Sequence, residues 1–259
     1  MSSRPWDRAA LVPTRKDGQR RRAEIAVLRA GIPHVADLFT FMRDAEVRFD
    51  TLRMRIEERT IGARGSHLVV MEMALRHPGE ARVTTSEPDL GTAGNYEIWI
   101  SDGEAVRTYS APHKLGTHRP MRHSVRGLDA DFPPSSRVYL PLTTLPMETL
   151  PDLFVHPAGY CQNVLATGEC WVSGSDEVAG RETVTVECDH PRAVEVVADR
   201  PDFHIQIAVD RETGAILRLV ESIGGQVTRR AEAVAFAPDA PLLPATFAFE
   251  FPSDTTIMY

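Results

Sequence analysis

The apolar positions of this chain fall mostly at a period of two. Over residues 181–188, Val184, Val186 and Cys188 alternate with Thr183, Thr185 and Glu187, the signature of a half-buried strand. Phe203, Ile205, Ile207 and Val209 repeat the pattern against His204, Gln206 and Ala208. Residues 210–214 then carry turn chemistry, with Gly214 suited to a positive φ, and 215–221 predict the next strand. Gly224 and Gly225 turn the chain into a further strand over 226–236. Strands joined by short glycine-bearing turns form a meander, and its apolar face needs a cover.

Upstream, residues 21–30 predict a short helix ended by Gly31 and Pro33. Over 34–47, Val35, Leu38, Phe39, Met42 and Ala45 recur at helical spacing with Phe41 beside them. They predict an amphipathic helix with a bulky apolar face, the natural cover for the sheet. The period then returns to two. Leu52, Met54 and Ile56 alternate with Arg53, Arg55 and Glu57 over 49–60, and Val69, Met71, Met73 and Leu75 share one side of 68–75. His77, Pro78 and Gly79 turn the chain into 81–86, and Asp102-Gly103 joins strands over 95–100 and 105–110 as a hairpin.

Between 112 and 157 the pattern dissolves into a proline-rich stretch holding His113, His118, His123 and His156, with a short helix expected over 145–154. A stretch of this length inside a compact domain reads as a functional loop or lid. Strands over 160–172, 233–244 and 247–251 complete the set, the last with Phe247, Phe249 and Phe251 on one face.

Length and charge narrow the picture. A chain of 259 residues, 42% hydrophobic, buries one sizeable core, so residues 23–259 are read as a single domain behind an N-terminal arm of residues 1–22. The arm carries seven Arg or Lys against Asp7 and Asp17, a net of +5, which leaves −12 of the formal −7 on the remainder. An acidic body argues against a nucleic-acid surface. The first residues lack a continuous apolar run, no integral membrane segment is expected, and three cysteines suit a reducing compartment, so the expected location is the cytoplasm.

Candidate chemistry is sparse. Cys161, Cys170 and the run Cys188-Asp189-His190 could assemble a zinc site, although no Cys-x-x-Cys knuckle is present. Cys161 and Cys170 could instead face each other across a hairpin, and a cysteine paired with His156 or His190 would be a nucleophile. A phosphate-binding glycine loop, a Gly-x-Ser-x-Gly elbow and a His-Glu-x-x-His helix are all absent from the sequence. No cofactor is expected.

The order of elements carries a resemblance. A leading amphipathic helix is followed by a strand ending in Leu75-Arg76-His77-Pro78, then by Ile98-Trp99-Ile100-Ser101-Asp102-Gly103 leading to a strand that reaches Tyr109. Residues 207–217 and the closing stretch 244–252, with its Pro-x-x-Phe-x-Phe spacing, complete the pattern. Over 33–252 the chain resembles the outer-membrane lipoprotein carrier (LolA) superfamily, whose architecture the periplasmic sigma-factor regulator and mycobacterial lipid-binding lipoproteins share.

That resemblance implies a mainly β (α+β) fold in which an antiparallel sheet of roughly ten or eleven strands curls into an unclosed β-barrel covered by helices. It implies an apolar cavity that holds acyl chains or hydrophobic peptides without chemistry. The residues expected to line it are Leu38, Phe39, Met42, Met54, Met71, Met73, Ile98, Ile205, Ile207 and Leu217, the methionines because thioether chains repack around irregular guests. The expected partner is a hydrophobic small molecule, a lipid or an apolar peptide. A regulatory module that binds a protein partner and a Cys/His-dependent enzyme on the same scaffold are the alternatives.

Overall fold

The computed structural model describes residues 28, 31–63, 65–90, 94–121, 141–191 and 200–258. The basic arm, all of the helix expected over 21–30 except Leu28, and His123 lie outside the described residues.

Among the described residues twelve strands form one sheet. They are β1 (Thr51–Gly62), β2 (Gly65–Arg76), β3 (Glu80–Ser86), β4 (Tyr96–Asp102), β5 (Ala105–Ser110), β6 (Leu115–Pro120), β7 (Glu169–Val178), β8 (Arg181–Asp189), β9 (Phe203–Asp210), β10 (Ile216–Ile223), β11 (Gln226–Pro238) and β12 (Thr256–Met258). The order across the sheet is β12-β6-β5-β4-β3-β2-β1-β11-β10-β9-β8-β7. Two meanders, β1 to β6 and β7 to β11, therefore join along the antiparallel pair β1–β11, while β12 adds in parallel to β6. The sheet ends at β7 and β12 and is not closed.

It is nonetheless strongly curled. Three strands separate β7 from β11, which in a flat sheet would set them about 19 Å apart. Instead β7 meets β11, and the Arg181 guanidinium of β8 lies 5.4 Å from the Phe236 ring of β11.

The helical elements that cover the sheet are α1 (Val35–Arg43), a 3-10 turn (Ala45–Arg48), α2 (Leu150–Val155), α3 (Ala158–Asn163) and a second 3-10 turn (Leu165–Thr167); further 3-10 turns lie at Pro88–Leu90 and Pro244–Phe247. Their apolar residues Leu38, Phe41, Met42, Leu150, Phe154, Val155, Cys161 and Leu165 join a single buried cluster with one face of the sheet. That face is set by register. Leu52 opposes Leu75, Met54 opposes Met73 and Ile56 opposes Met71 between β1 and β2, and Val186 opposes Ile207 between β8 and β9. Each such buried side chain contributes about 1.5–3 kcal/mol of apolar transfer.

Several expectations need correction. The helix expected over 34–47 is broken at Asp44, after which the chain tightens into the 3-10 turn. The strand expected over 160–172 begins at Glu169, because residues 158–167 are helical and carry Cys161 and Leu165 into the core. The strand expected over 247–251 makes no ladder. Phe249 and Phe251 instead pack against Ile98, Ile100 and Tyr109, and the terminal strand forms later as β12. Within the expected 112–157 loop, Leu115–Pro120 is strand β6, which pairs with β5.

Candidate functional site

The candidate site is the apolar trough between one face of the sheet and its helical cover, where the residues form a buried cluster. Leu38, Met42, Met54, Met71, Met73, Ile205, Ile207 and Leu217 all belong to one buried cluster, and the half-buried Phe39 packs against it. Ile98 lies elsewhere. In β4 the half-buried Trp99 packs on the main cluster, which turns Ile98 and Ile100 to the other face, under Phe249 and Phe251. Leu217 reaches the cluster through a register shift between Ile216 and Arg218 that leaves it unpaired with β9. Met54 and Met73 are cross-strand partners, Met71 and Met42 belong to the same buried cluster, and the Cys161 thiol lies 3.8 Å from the Met42 sulfur.

Three polar clusters border this interior: two fasten the cover to the rest of the fold, and the third ties strands of the sheet to one another. The first is at the turn after β9. Arg48 donates from Nη1 to the carbonyls of Phe41 and Thr213, each at 2.8 Å, and its guanidinium stands 3.8 Å above the Phe41 ring. Asp210, 1% exposed, organises that turn. It accepts from Arg181 Nε at 2.6 Å and Nη2 at 3.0 Å, and from the Thr213 amide and hydroxyl at 2.8 and 2.6 Å. Gly214, at φ +82°, brings the turn close to the cover: a Cβ there would lie 3.1 Å from the Phe41 ring and 3.2 Å from the Met42 Cα.

The second fastening is ionic and buried. Glu46, in the turn after α1, accepts the Leu142 amide at 2.8 Å, and its Oε2 lies 3.2 Å from His156 Nε2, an ionic contact off hydrogen-bond alignment. His156 Nδ1 is 2.8 Å from Asp152 Oδ1. Burial opposes protonation of His156, but the two carboxylates outweigh it and raise its pKa to about 9. His77, stacked on Phe49 with Nδ1 2.8 Å from the Thr143 hydroxyl, is pushed down to about 4, chiefly by burial. Thr143 therefore donates to the neutral ring or accepts from it, while also accepting the Gly79 amide.

The third lies at the opposite end of the trough. Glu58, Arg229 and Glu221 follow the core-facing parity of β1, β11 and β10, and Arg229 donates to Glu58 at 2.6 Å and to Glu221 at 3.2 Å. The buried hydroxyl of Tyr160 from α3 has no hydrogen-bond partner among the described residues, and burial raises its pKa.

The cysteines divide differently from either arrangement expected. Cys161 packs on Met42, and burial pushes its thiol up to about 12, far from a ready nucleophile. Cys170 does not face Cys161; it is registered directly opposite Cys188, and all three are free thiols. His156 is committed to two carboxylates, and His190 sits on an exposed turn at φ 51°. Among the described residues no group of three His, Cys, Asp or Glu side chains could hold a metal ion. No helix among them is long and apolar enough to cross a membrane.

The residues Glu46, Arg48, Asp152 and Arg229 of these clusters were not singled out by the pattern of the sequence. Each reads there as a solvated charge, and only the fold brings its partner to it.

No known protein family matches the chain, and no curated protein matches it. Among solved structures, the fold is similar to MucB in the MucA/MucB complex of Pseudomonas aeruginosa, at TM-score 0.46 and 14% identity, with 86% of this chain and 63% of that chain covered. It is similar to an uncharacterised conserved protein of Thermus thermophilus, at TM-score 0.47 and 8% identity, over 86% and 98% of the two chains. A LolA superfamily protein of Nitrosomonas europaea matches at TM-score 0.33 and 8% identity, over 84% and 98%. The chain spans less than two thirds of the MucB length. At these identities and scores the likeness assigns no cargo and no partner, and the open, curled sheet stands on its own strand order.

Proposed function

We propose that this protein is a non-enzymatic binder that shelters a hydrophobic molecule, such as a lipid, an acyl chain or an apolar peptide, between the curled sheet and α1. The observation that carries the reading is the burial of Met42, Met54, Met71 and Met73 in one cluster shared by a short helix and an open sheet. Thioether side chains repack around irregular shapes at small energetic cost. A guest entering under α1 exchanges Leu38 and Met42 contacts for its own, so little apolar burial is lost. The polar clusters at both ends of the trough would confine the apolar portion of the guest to its middle. Native mass spectrometry of the full chain, before and after organic extraction, tests this: adduct masses removed by extraction and restored by added lipid support it, and a chain that never carries or takes up such a mass overturns it.

A second reading rests on the free edge. Among the described residues β7 pairs only with β8, and it presents Trp171, 41% exposed, beside the half-buried His204 ring. An unpaired edge strand with an exposed aromatic residue suits addition of a partner's strand. Cross-linking from position 171 distinguishes the two readings, since a lipid guest leaves that edge untouched.

A further inference from the structure

Cys170 of β7 and Cys188 of β8 are cross-strand partners, and directly opposed residues in an antiparallel pair have Cα atoms about 4.5–5.5 Å apart, inside the range a disulfide spans. Both thiols point the same way. Cys170 Sγ donates to the Leu165 carbonyl at 3.0 Å and Cys188 Sγ to the same oxygen at 3.4 Å. Cys188 is fully buried and Cys170 half-buried, so one sulfur is reachable from solvent and the other stands behind it. The neighbouring Cys188 thiol, able to donate to a Cys170 thiolate, holds Cys170 below the usual range, while the same interaction and burial push Cys188 up. That is the division between an attacking and a resolving thiol.

We infer that Cys170 and Cys188 form a reversible dithiol–disulfide pair that closes by exchange with a small-molecule disulfide. The Cys170 thiolate attacks one sulfur of that disulfide, whose S–S bond breaks and releases one thiolate, which takes up the proton Cys170 has lost. Cys188, giving its proton to the second leaving sulfur, attacks Cys170 Sγ and expels the second thiol. The protein loses two electrons and two protons, and the small disulfide becomes two thiols. Closure also withdraws both S–H donors from the Leu165 carbonyl, which among the described residues keeps the Gly168 amide at 3.1 Å. The pair therefore couples the edge strand to the helical segment that contains Cys161 and Leu165.

The test treats the full chain with excess oxidised glutathione, followed by intact mass and non-reducing peptide mapping. The expected product is about 2 Da lighter, with one cross-linked peptide pair joining positions 170 and 188 and reversal by dithiothreitol. Cys161→Ser retains the reaction, and Cys170→Ser abolishes it while keeping the far-ultraviolet circular dichroism of the folded chain. Hydrogen exchange over 158–168 rises on closure, and unchanged protection there overturns the coupling to Leu165. Three thiols still free, a stable glutathione adduct on Cys170 without closure, or a bond through Cys161 overturns the pairing.

Discussion

His156 Nε2 lies 3.2 Å from Glu46 Oε2 while its Nδ1 lies 2.8 Å from Asp152 Oδ1, so one imidazolium joins the turn after α1 to helix α2. The pKa of this histidine is raised from 6.5 to about 9 in the folded chain, which makes the folded state the better proton binder between those values. Its stabilisation is full below about pH 6.5 and is lost as pH rises through about 9. The loss is of order 3 kcal/mol. His77, pushed down from 6.5 to about 4, acts in the opposite sense, and stability falls as pH drops across that window. Urea unfolding across pH should thus show a maximum near neutrality. In His156→Gln the alkaline decline flattens, and a variant that keeps the full decline contradicts the clasp.

Gly214→Ala should loosen the cover. The new Cβ meets the Phe41 ring at 3.1 Å and the Met42 Cα at 3.2 Å, in a left-handed backbone that alanine tolerates poorly. The expected cost is about 1–3 kcal/mol in urea unfolding. Because the strain falls on α1 and not on the sheet, the affinity for an apolar probe rises, since less work remains to displace the helix. A destabilised variant with unchanged probe affinity would separate the cover from binding.

Leu38→Ala and Ile98→Ala test the two faces of the sheet. Both remove nearly buried side chains and should destabilise by about 2–5 kcal/mol, yet only Leu38 faces the trough. Probe binding should change in Leu38→Ala and stay constant in Ile98→Ala. Equal effects on binding would contradict the placement of Ile98 under the C-terminal aromatic residues.

Asp210→Ala takes from the Arg181 guanidinium its buried partner, leaving it the exposed Glu212 at 2.7 Å, and leaves two Thr213 donors without an acceptor. A loss of about 3–5 kcal/mol is expected in equilibrium unfolding. Asp210→Asn keeps an oxygen for Thr213 and should recover part of it. A neutral Asp210→Ala would show that the turn does not depend on the pair.

Much of the sheet was legible because burial on one face writes a period of two into Leu52, Met54 and Ile56, or Ile205 and Ile207. Where the chain departs from that condition the reading failed. β6 carries Gly116, His118 and Pro120 near an edge and buries little, so nothing apolar marks it. Phe247, Phe249 and Phe251 alternate like a strand, but here the alternation serves aromatic packing without a ladder: Phe249 and Phe251 meet edge-on at 5.3 Å over Tyr109, and Phe247 lies 5.1 Å from the Arg76 guanidinium. The Ile98-Trp99-Ile100 trio has apolar residues on both faces, so periodicity could not say which belonged to the trough. The polar clusters were invisible for a different reason. Glu46 and His156, or Glu58 and Arg229, are far apart in sequence, and charged residues mark burial only once their partners are in place.

Whether the space under α1 accepts an apolar guest is tested most directly by equilibrium titration of the full chain with a dansyl-labelled fatty acid. The expected result is a saturable, blue-shifted rise in emission that unlabelled fatty acid reverses and that Leu38→Trp, by filling the trough, weakens at least about tenfold, or 1.4 kcal/mol. Emission that climbs without saturation, or saturation indifferent to Leu38→Trp, would contradict it.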